Sequence, residues 1–322
     1  MHAIRMTQTG EPDVLEWTEL PVGDPAPGEI RVTVAASGLN YIDTYHRRGI
    51  YPLDLPATIG LEGAGTVSAV GADVAGISIG DPVAWSNALG SYAEEVVLPA
   101  QGVVPVPPDM SLEVAAAAML QGMTAHYLAT STFPLRSGHR CLIHAGAGGV
   151  GRILIQIAKQ RGAEVFATVS TEAKAELATS AGADHVIRYT EEDFAGAVES
   201  IAGPKSLDVV FDGVGASTFD AGLGLLKPRG LMALFGQSSG VVPPFDLGRL
   251  ATMGSLYVTR PTLFSYIAER AELLRRSGEV FEWIQAGDLE VRIGHRWPLA
   301  ETAEAHRALE ARQTSGKVLL LP

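Results

Sequence analysis

The sequence predicts an α/β protein in which a β-rich first third is followed by a doubly wound parallel sheet. Short apolar runs broken by glycine and proline fill residues 1–108, a pattern typical of strands joined by tight turns. From residue 140 onward, apolar strand-like runs alternate with helical segments, which predicts parallel strands buried on both faces. The length of 322 residues agrees with two domains.

The β-rich segment is predicted from five apolar runs that carry turn-forming residues at their ends. In chain order these runs are EIRVTVAASG, GAGTVSAVG, DPVAWS, SYAEEVVLP and VVPVPP. A helix is predicted to begin near Ser111, because Asp109 and Ser111 can accept hydrogen bonds from its first free N–H groups. The alanine-rich run VAAAAMLQGMTAHYLA continues this helix and is interrupted only by Gly122.

The parallel sheet is predicted from strand-like and helical runs that follow one another in strict alternation. In chain order they are CLIHA, VGRILIQIAKQRG, EVFATVS, EAKAELATSAG, HVIRY, a short helix, LDVVFDGVG and LMALFG. After residue 260 the chain predicts two further helices, TLFSYIAERAELLRRSG and AETAEAHRALEAR, and a final strand, KVLLLP.

Composition limits the classes of function. The 24 Lys and Arg against 36 Asp and Glu give a net charge of −12, which disfavours nucleic acid and anionic membranes as partners. The single cysteine, Cys141, excludes an intrachain disulfide and any multi-thiolate metal site. The first residues lack the apolar core of a signal peptide, and there is no apolar run of about 18 residues. These features predict a cytoplasmic protein.

A glycine-rich turn predicts a dinucleotide site. Gly146, Gly148 and Gly151 form the pattern G-x-G-x-x-G directly after the strand CLIHA and directly before an amphipathic helix. Glycines in this position permit a tight turn and a close backbone approach, and the N–H groups at the helix start face a pyrophosphate. The alternative is a structural strand-to-helix turn, but the repeated βα units around it favour a dinucleotide.

The next strand distinguishes the two nicotinamide coenzymes. It ends at Ser170, where an NAD-binding protein carries an acidic residue for the ribose 2′-hydroxyl. Here a hydroxyl group and, one helical turn later, Lys174 stand in place of that carboxylate, so the site favours the 2′-phosphate of NADPH. Glu172 is a nearby carboxylate that could still contact a ribose, and Lys174 could be a solvated helix residue.

Several motifs at matching separations carry a family resemblance that extends over nearly the whole chain. They are AASGLNYIDTYHRRGIYP at 35–52, GLEGAG at 60–65, HAGAGGVG at 144–151, FGQSSG at 235–240 and GSLYVTRP at 254–261. The sequence resembles the bacterial NADPH:quinone oxidoreductases, the zeta-crystallin-like, zinc-free branch of the medium-chain dehydrogenase/reductase superfamily.

The resemblance implies a particular domain organisation. A discontinuous, GroES-like catalytic barrel would comprise residues 1–125 and 261–322, and a Rossmann domain would comprise residues 126–260. The coenzyme would lie in the cleft that separates these domains. The family commonly forms homodimers by pairing Rossmann edge strands, and residues 254–258 are the expected edge; the alternative is a strand that ends within one subunit.

The resemblance also implies that the site holds no catalytic zinc. Zinc-dependent relatives carry a cysteine where this sequence has Asn40, and they read Gly-His-Glu where it has Gly60-Leu61-Glu62. Glu62 is expected to persist as a hydrogen-bonded structural acid. Cys141, on the first Rossmann strand, is expected to be a small buried hydrophobe.

Residue roles are implied by the same resemblance. Asn40 and Thr124 would face the nicotinamide, and Tyr45, Tyr51 and Arg260 would line the pocket of the electron acceptor. Further coenzyme contacts would come from Gly148, Gly149, Val150, Ser170, Lys174, Tyr189, Phe235, Gly236, Gln237, Ser238, Arg312 and Lys317. Each pocket residue has a structural alternative: half-buried loop aromatics for the tyrosines, and a domain joint for the arginine. His144 is expected to be a packed side chain, and Asp43 could cap a turn.

The implied activity is NADPH-dependent reduction of quinones. A quinone already accepts hydride or electrons strongly, and its developing oxyanion needs only a hydrogen-bond donor or water rather than a Lewis acid. Reduction of α,β-unsaturated carbonyls requires the same coenzyme geometry and is the first alternative. A non-catalytic NADPH-binding protein and a zinc alcohol dehydrogenase are the remaining alternatives.

Overall fold

The computed structural model describes residues 1–322 and divides the chain into two units. The first, here called the barrel unit, consists of Met1–Met123 and Ile267–Pro322, and the second, called the Rossmann unit, consists of Thr124–Tyr266. The boundaries implied by the resemblance fall near these, after residues 125 and 260. The barrel unit is therefore assembled from both ends of the chain.

The strands and helices follow one another along the chain in this order. The N-terminal part contains β1 (His2–Met6), β2 (Glu16–Glu19), β3 (Glu29–Leu39), α1 (Tyr41–Arg47), β4 (Ala57–Thr58), β5 (Glu62–Val70), β6 (Pro82–Trp85), β7 (Glu95–Pro99), β8 (Val104–Pro105) and α2 (Leu112–Tyr127). The middle part contains β9 (Arg140–Ile143), α3 (Gly149–Gln160), β10 (Glu164–Val169), α4 (Glu172–Ser180), β11 (His185–Arg188), α5 (Phe194–Ala202), β12 (Leu207–Asp212), α6 (Phe219–Leu225), β13 (Leu226–Leu234), α7 (Gly248–Thr252), β14 (Tyr257–Thr259) and α8 (Leu263–Tyr266). The C-terminal part contains α9 (Arg270–Ala286), β15 (Ile293–Pro298), α10 (Thr302–Glu310) and β16 (Lys317–Leu321).

The main sheet of the barrel unit has seven strands, and the last strand of the chain lies inside it. The order is β15-β16-β3-β5-β6-β8, with β7 also paired to β3. Alternate residues of β3, Ile30, Val32 and Val34, pack into a core with Val67 and Trp85, as expected for a strand with one buried face. Because β16 runs antiparallel to β3, residues from both chain ends meet in one sheet.

The Rossmann unit is built on six parallel strands in the order β11-β10-β9-β12-β13-β14. The central strand, β9, is buried on both faces, and burial raises the pKa of its Cys141 thiol. In such a sheet, ligands bind at the carboxyl ends of the strands where the strand order reverses, here at β9 and β12. The predicted fold class is confirmed.

Helix α2 begins where the sequence predicts, and Val114 N donates to Ser111 Oγ over 3.2 Å. Its one helix breaker has a packing reason, because a Cβ at Gly122 would lie 2.9 Å from Val280 of α9. The long helix predicted from Thr262 is instead two helices, α8 and α9, joined by a segment in which Ile267 is buried. No helix in the structure combines the length and hydropathy that crossing a membrane requires.

Candidate active site

The glycine turn that precedes α3 has the geometry of an anion cradle. A Cβ at Gly151 would lie 2.3 Å from the carbonyl oxygen of Ala145, and one at Gly146 would lie 2.9 Å from Ala167, so larger residues do not fit. Gly148 is the N-cap of α3 and supplies no side-chain cap, which leaves the first N–H groups of a 12-residue helix for another acceptor. These residues fit the pyrophosphate of a dinucleotide.

Two buried side chains support the strand ends next to this turn. The His144 Nδ1 atom lies 2.9 Å from Thr168 Oγ1, and its ring packs edge-on against Phe194. Burial lowers the pKa of His144, so the ring is neutral, and its Nε2 atom has no partner. Asp212, at the end of β12, accepts hydrogen bonds from the N–H groups of Val214 and Gly215 at 2.7 and 3.0 Å, which fixes the loop after this strand.

The residues predicted for the adenosine 2′-phosphate gather at the carboxyl ends of β10 and β11. Ser170 follows β10, and its carbonyl oxygen accepts from Thr190 Oγ1 at 2.8 Å. Thr171 caps α4 by accepting from Lys174 N at 3.3 Å. Tyr189 N donates to Val169 O at 3.1 Å, which holds the predicted tyrosine beside the end of β10.

The predicted segment from Phe235 to Ser238 follows β13 and packs on the loop after β12. Phe235 N donates to Asp212 O at 2.8 Å, and Ser238 N donates to Gly213 O at 3.3 Å. A Cβ at Gly236 would lie 2.5 Å from Gly213 O, so this close approach requires glycine. The segment therefore occupies the same edge of the sheet as the glycine turn.

Two more predicted residues belong to the Rossmann unit. Arg260 directly follows β14, and its Nη1 atom donates to Leu234 O at the end of β13, over 3.1 Å. Thr124, the first residue of this unit, is buried on α2. The backbone thus places Arg260 at the carboxyl edge of the sheet, where a ligand is expected.

In the barrel unit, Asn40 is the centre of a buried hydrogen-bonded cluster. Its Nδ2 atom donates to Glu62 Oε2 at 2.7 Å and to Gly38 O at 3.1 Å. Its Oδ1 atom accepts from Lys317 Nζ at 2.9 Å and from Gln121 Nε2 at 3.1 Å. Lys317 also forms an ion pair with Glu62, and both side chains are fully buried.

These four bonds fix the orientation of the Asn40 carboxamide. A lysine ammonium can only donate, and an ionised carboxylate can only accept, so the oxygen of Asn40 must face Lys317 and its nitrogen must face Glu62. Both amide hydrogens and both lone pairs of the oxygen are then used. Asn40 therefore has no spare donor for a substrate oxygen. It can contribute to the site only as a rigid surface against which a ligand packs. Its predicted place beside the nicotinamide stays a prediction.

A second buried array joins α1 to α10. Tyr92 Oη donates to Asp43 Oδ2 at 2.8 Å, and the same carboxyl group accepts from Asn40 N at 2.8 Å. His306 lies 3.4 Å from Tyr92 Oη through Nε2 and 3.1 Å from Arg47 Nη1 through Nδ1. Burial raises the pKa of Asp43 to about 7, and burial together with the Arg47 charge lowers the pKa of His306 to about 3. Asp43 caps α1, and it also anchors this array.

The two predicted pocket tyrosines are brought together. Tyr45, on α1, and Tyr51, in the turn after it, have ring centroids 5.4 Å apart in an edge-to-face arrangement. Tyr51 N also donates to Tyr45 O at 3.2 Å. Two residues predicted to contact the coenzyme lie elsewhere in the barrel unit: Lys317 in the Asn40 cluster, and Arg312 in the turn after α10 with a φ of 60°.

Comparison with known proteins assigns the chain to a family. The alcohol dehydrogenase GroES-like domain model matches residues 26–108, and the zinc-binding dehydrogenase model matches residues 149–277. The quinone oxidoreductase of Pseudomonas aeruginosa is 44% identical to this chain, and the match covers 99% of each. The chain belongs to the quinone oxidoreductase family. This family lies in the medium-chain dehydrogenase/reductase superfamily, as the sequence motifs indicate.

Solved structures agree with this assignment. The quinone oxidoreductase of Escherichia coli, complexed with NADPH, is 43% identical with a TM-score of 0.98, and a mycobacterial protein complexed with NADPH is 48% identical with a TM-score of 0.97. Both comparisons cover 100% of each chain. A 2-haloacrylate reductase from Burkholderia sp is 41% identical, with 97% of this chain and 96% of that protein covered.

One of the matching models is named for zinc, but the Asn40 cluster does not suit that metal. Zinc requires three or four nitrogen, sulfur or oxygen ligands. Here the position offers one carboxamide, whose atoms are all hydrogen-bonded, and one carboxylate, Glu62, that the Lys317 ammonium already neutralises. No three His, Cys, Asp or Glu side chains are grouped to hold a metal ion. No step is therefore assigned to a metal in this member of the quinone oxidoreductase family.

Sequence motifs did not reveal several polar residues of these sites. Gln121 is distant in sequence from Asn40. Tyr92, in the loop before β7, is likewise distant from His306 on α10, so only the folded chain brings these residues together. The sequence did give a reason to examine Arg188 and Glu172, which form an ion pair beside the end of β11. Glu172 is the carboxylate noted near the end of β10 in the sequence, and Arg188 directly precedes the predicted coenzyme residue Tyr189.

Proposed function

We propose that the chain is an NADPH-dependent quinone reductase that acts without a metal. The observation that carries the proposal is its similarity, over the whole of both chains, to a quinone oxidoreductase solved with NADPH. The reaction consumes one quinone, one NADPH and one proton, and it yields hydroquinone and NADP⁺.

The coenzyme, when bound, supplies the hydride equivalent, and this chain binds and orients it. The proposal assigns the pyrophosphate to the N–H groups of Gly148, Gly149 and Val150, at the start of α3. Ser170, Lys174 and Tyr189 hold the 2′-phosphate. Phe235, Gly236, Gln237 and Ser238, on the loop after β13, extend this surface.

Substrate binding is assigned to the aromatic and cationic residues. Asn40 and Thr124 position the nicotinamide ring; Asn40 can do so as a rigid surface because its amide is fully hydrogen-bonded. Tyr45 and Tyr51 stack on a flat quinone and donate hydrogen bonds to it. The Arg260 guanidinium stabilises the negative charge that develops on a quinone oxygen.

The test is NADPH oxidation by the chelator-treated protein with a small ortho- or para-quinone, against a reaction without protein. Turnover that survives chelation is expected. Turnover that requires added zinc, or that occurs with alcohols and NADP⁺ alone, would contradict the proposal. Tight NADPH binding with no turnover of any acceptor would favour a binding protein instead.

Reduction of an activated carbon–carbon double bond is the second candidate function. It is favoured by the 2-haloacrylate reductase from Burkholderia sp, which is 41% identical to this chain. A 2-haloacrylate is a carboxylate, so Arg260 would bind its anionic group. Parallel kcat/KM values for a quinone, an uncharged enone and 2-chloroacrylate separate the candidates. A higher value for either alkene would transfer the assignment to double-bond reduction.

Two further proposals concern assembly and location. We propose a homodimer formed through β14, which is the edge strand of the Rossmann sheet and exposes Tyr257 by 59% and Val258 by 36%. Sedimentation velocity of the purified chain tests this, with twice the chain mass of 33.8 kDa expected.

A cytoplasmic location is proposed from the single, buried cysteine. Cell fractionation tests it, with the protein expected in the cytosolic fraction.

A further inference from the structure

An arginine at the end of β11 is held between two carboxylates. Arg188 Nη1 lies 3.0 Å from Glu172 Oε2 and 2.6 Å from Glu191 Oε1. The arginine side chain is 34% exposed, and the two glutamates are 67% and 56% exposed. Ion pairs as open as these contribute only about 0–1 kcal/mol to stability, so the guanidinium can exchange a carboxylate for another anion at little cost to folding.

The position of this arginine is informative. In the parallel pairing of β10 with β11, Arg188 is the partner of Val169, the last residue of β10. Neighbouring strands lie about 4.8 Å apart, so the arginine backbone is beside the strand end at which a Rossmann sheet receives the adenosine ribose. Its neighbour Tyr189 is bonded to the same strand end, and Glu172 begins α4, the helix that carries Lys174.

The formal charges of four side chains at this edge cancel when no ligand is bound. Lys174 and Arg188 contribute two positive charges, and Glu172 and Glu191 contribute two negative charges. A 2′-phosphate carries up to two negative charges on three oxygens and matches the guanidinium fork, so it competes well with a single carboxylate. A 2′-hydroxyl group carries no charge and cannot compete in this way.

We propose that Arg188 determines the preference for NADPH by exchanging a carboxylate partner for the 2′-phosphate. Glu172 then acts as its competitor: it holds the guanidinium in place while the site is empty, and it reduces the affinity for the phosphate. This inference rests on the proposed use of NADPH, and it adds to Lys174 a second cation whose availability is controlled by an acidic neighbour.

The test measures coenzyme binding without any quinone. The full-length protein is titrated with NADPH and with NADH, and dissociation constants are obtained from the change in protein fluorescence. The same variants are titrated with 2′,5′-ADP and with 5′-AMP, which lack the nicotinamide. We expect Arg188→Gln to raise the Kd of NADPH and of 2′,5′-ADP about tenfold or more, and to change that of NADH and 5′-AMP less than twofold. We expect Glu172→Gln to lower the Kd of NADPH severalfold.

The chain offers a matched control. Arg275 on α9 also lies between two carboxylates, Glu272 and Glu279, each 2.9 Å away, and it is 43% exposed. Arg275→Gln should change none of the four dissociation constants, and the thermal unfolding midpoints of all variants should agree with that of the wild type.

The outcomes separate this inference from the proposed function. If Arg188→Gln weakens NADPH and NADH equally, or neither, the assignment of Arg188 is wrong, while tight NADPH binding by the wild type leaves the proposed coenzyme standing. If Glu172→Gln weakens NADPH, the competition is disproved. If the wild type binds neither coenzyme, the proposed function fails and the inference fails with it.

Discussion

Asn40 shows how much a single side chain depends on residues that are far away in the sequence. Its amide is fixed by Lys317, which is 277 residues distant, and by Glu62, which is 22 residues distant. The motif around Asn40 is enough to mark the position and to argue against a zinc ligand there. The saturation of its hydrogen bonds could not be predicted, because it depends on β16 pairing with β3.

We predict that Lys317→Met destabilises the protein by about 3–5 kcal/mol, because it leaves the buried Glu62 carboxylate without its cation. Urea unfolding measures this loss. The double variant Glu62→Gln/Lys317→Met removes both charges and should recover most of the stability. Lys205→Met, at an exposed position, is the control and should change stability by less than about 0.5 kcal/mol. A loss in the double variant as large as in the single variant would contradict this explanation.

Lys174 carries a prediction on coenzyme selectivity. It is the first cation after the end of β10, so Lys174→Ala should weaken NADPH about tenfold or more and NADH less than twofold. Equilibrium titration with each coenzyme measures the two effects, and Lys205→Ala is the control for removing a positive charge. Equal weakening of both coenzymes would show that Lys174 does not contact the 2′-phosphate.

Among the elements, the turn before α3 was the most predictable, because Gly148 and Gly151 are both constrained by the carbonyl oxygen of Ala145, a few residues away. A Cβ at Gly151 would lie 2.3 Å from Ala145 O, which is only six residues away. By contrast, the break between α8 and α9 has no glycine or proline signal, and it occurs where the chain passes from one unit to the other at Tyr266. Local constraints were readable from the sequence, and tertiary ones were not.

We predict that Gly151→Ala abolishes coenzyme binding and lowers the thermal unfolding midpoint, because the added Cβ must displace the carbonyl that shapes the turn. Gly224→Ala is a matched control: it also adds one methyl group to a helical glycine, but it meets no atom within 4 Å. The control should bind NADPH normally and be unchanged or more stable by up to about 1 kcal/mol. Normal NADPH binding by Gly151→Ala would refute the proposed pyrophosphate site.

The contact of α1 with α10 predicts a pH dependence. The pKa of Asp43 is about 7 in the folded protein, against 3.8 for an aspartate in an unfolded chain, so protonation of this carboxyl group favours folding. The resulting stabilisation is complete below pH 3.8 and is lost as the pH rises through 7. His306 has the opposite effect, because its lowered pKa makes acidification below 6.5 unfavourable for folding.

Asp43→Asn removes the first of these effects. Between pH 8 and pH 5, the free energy of unfolding of the wild type should rise by about 2–3 kcal/mol relative to that of Asp43→Asn. Urea unfolding at both pH values measures the difference, and Asp54→Asn tests for a general effect of removing a negative charge. A constant difference between wild type and Asp43→Asn would show that the folded carboxyl group does not titrate near pH 7.

At the scale of the whole molecule, the fold class could be predicted because the strand pattern changes from broken apolar runs to regular alternation. The combination of both chain ends in one unit was implied only by the family resemblance, since no local pattern shows which strand β16 will join. Helices, strands and the glycine turn follow from short-range chemistry. The Asn40 cluster and the Asp43 array follow from topology.

The proposed homodimer gives a prediction at this scale. Val258→Lys places a charge on the exposed edge strand β14 and should shift the sedimenting species from dimer to monomer. Ile79→Lys is the control, because Ile79 is exposed in the barrel unit and should not affect assembly. A dimer that survives Val258→Lys would place the interface elsewhere.

The long separation in sequence between Glu62 and Lys317 has a consequence for biosynthesis. Glu62 leaves the ribosome 255 residues before the lysine that neutralises it, and β3 waits even longer for its neighbour β16. The Rossmann unit is one continuous segment, so it can fold while the barrel unit still lacks its last strand. A nascent chain therefore carries an uncompensated acid in its first unit until residue 317 has been synthesised, and a chain that stops short of that residue never acquires the charge that allows Glu62 to be buried.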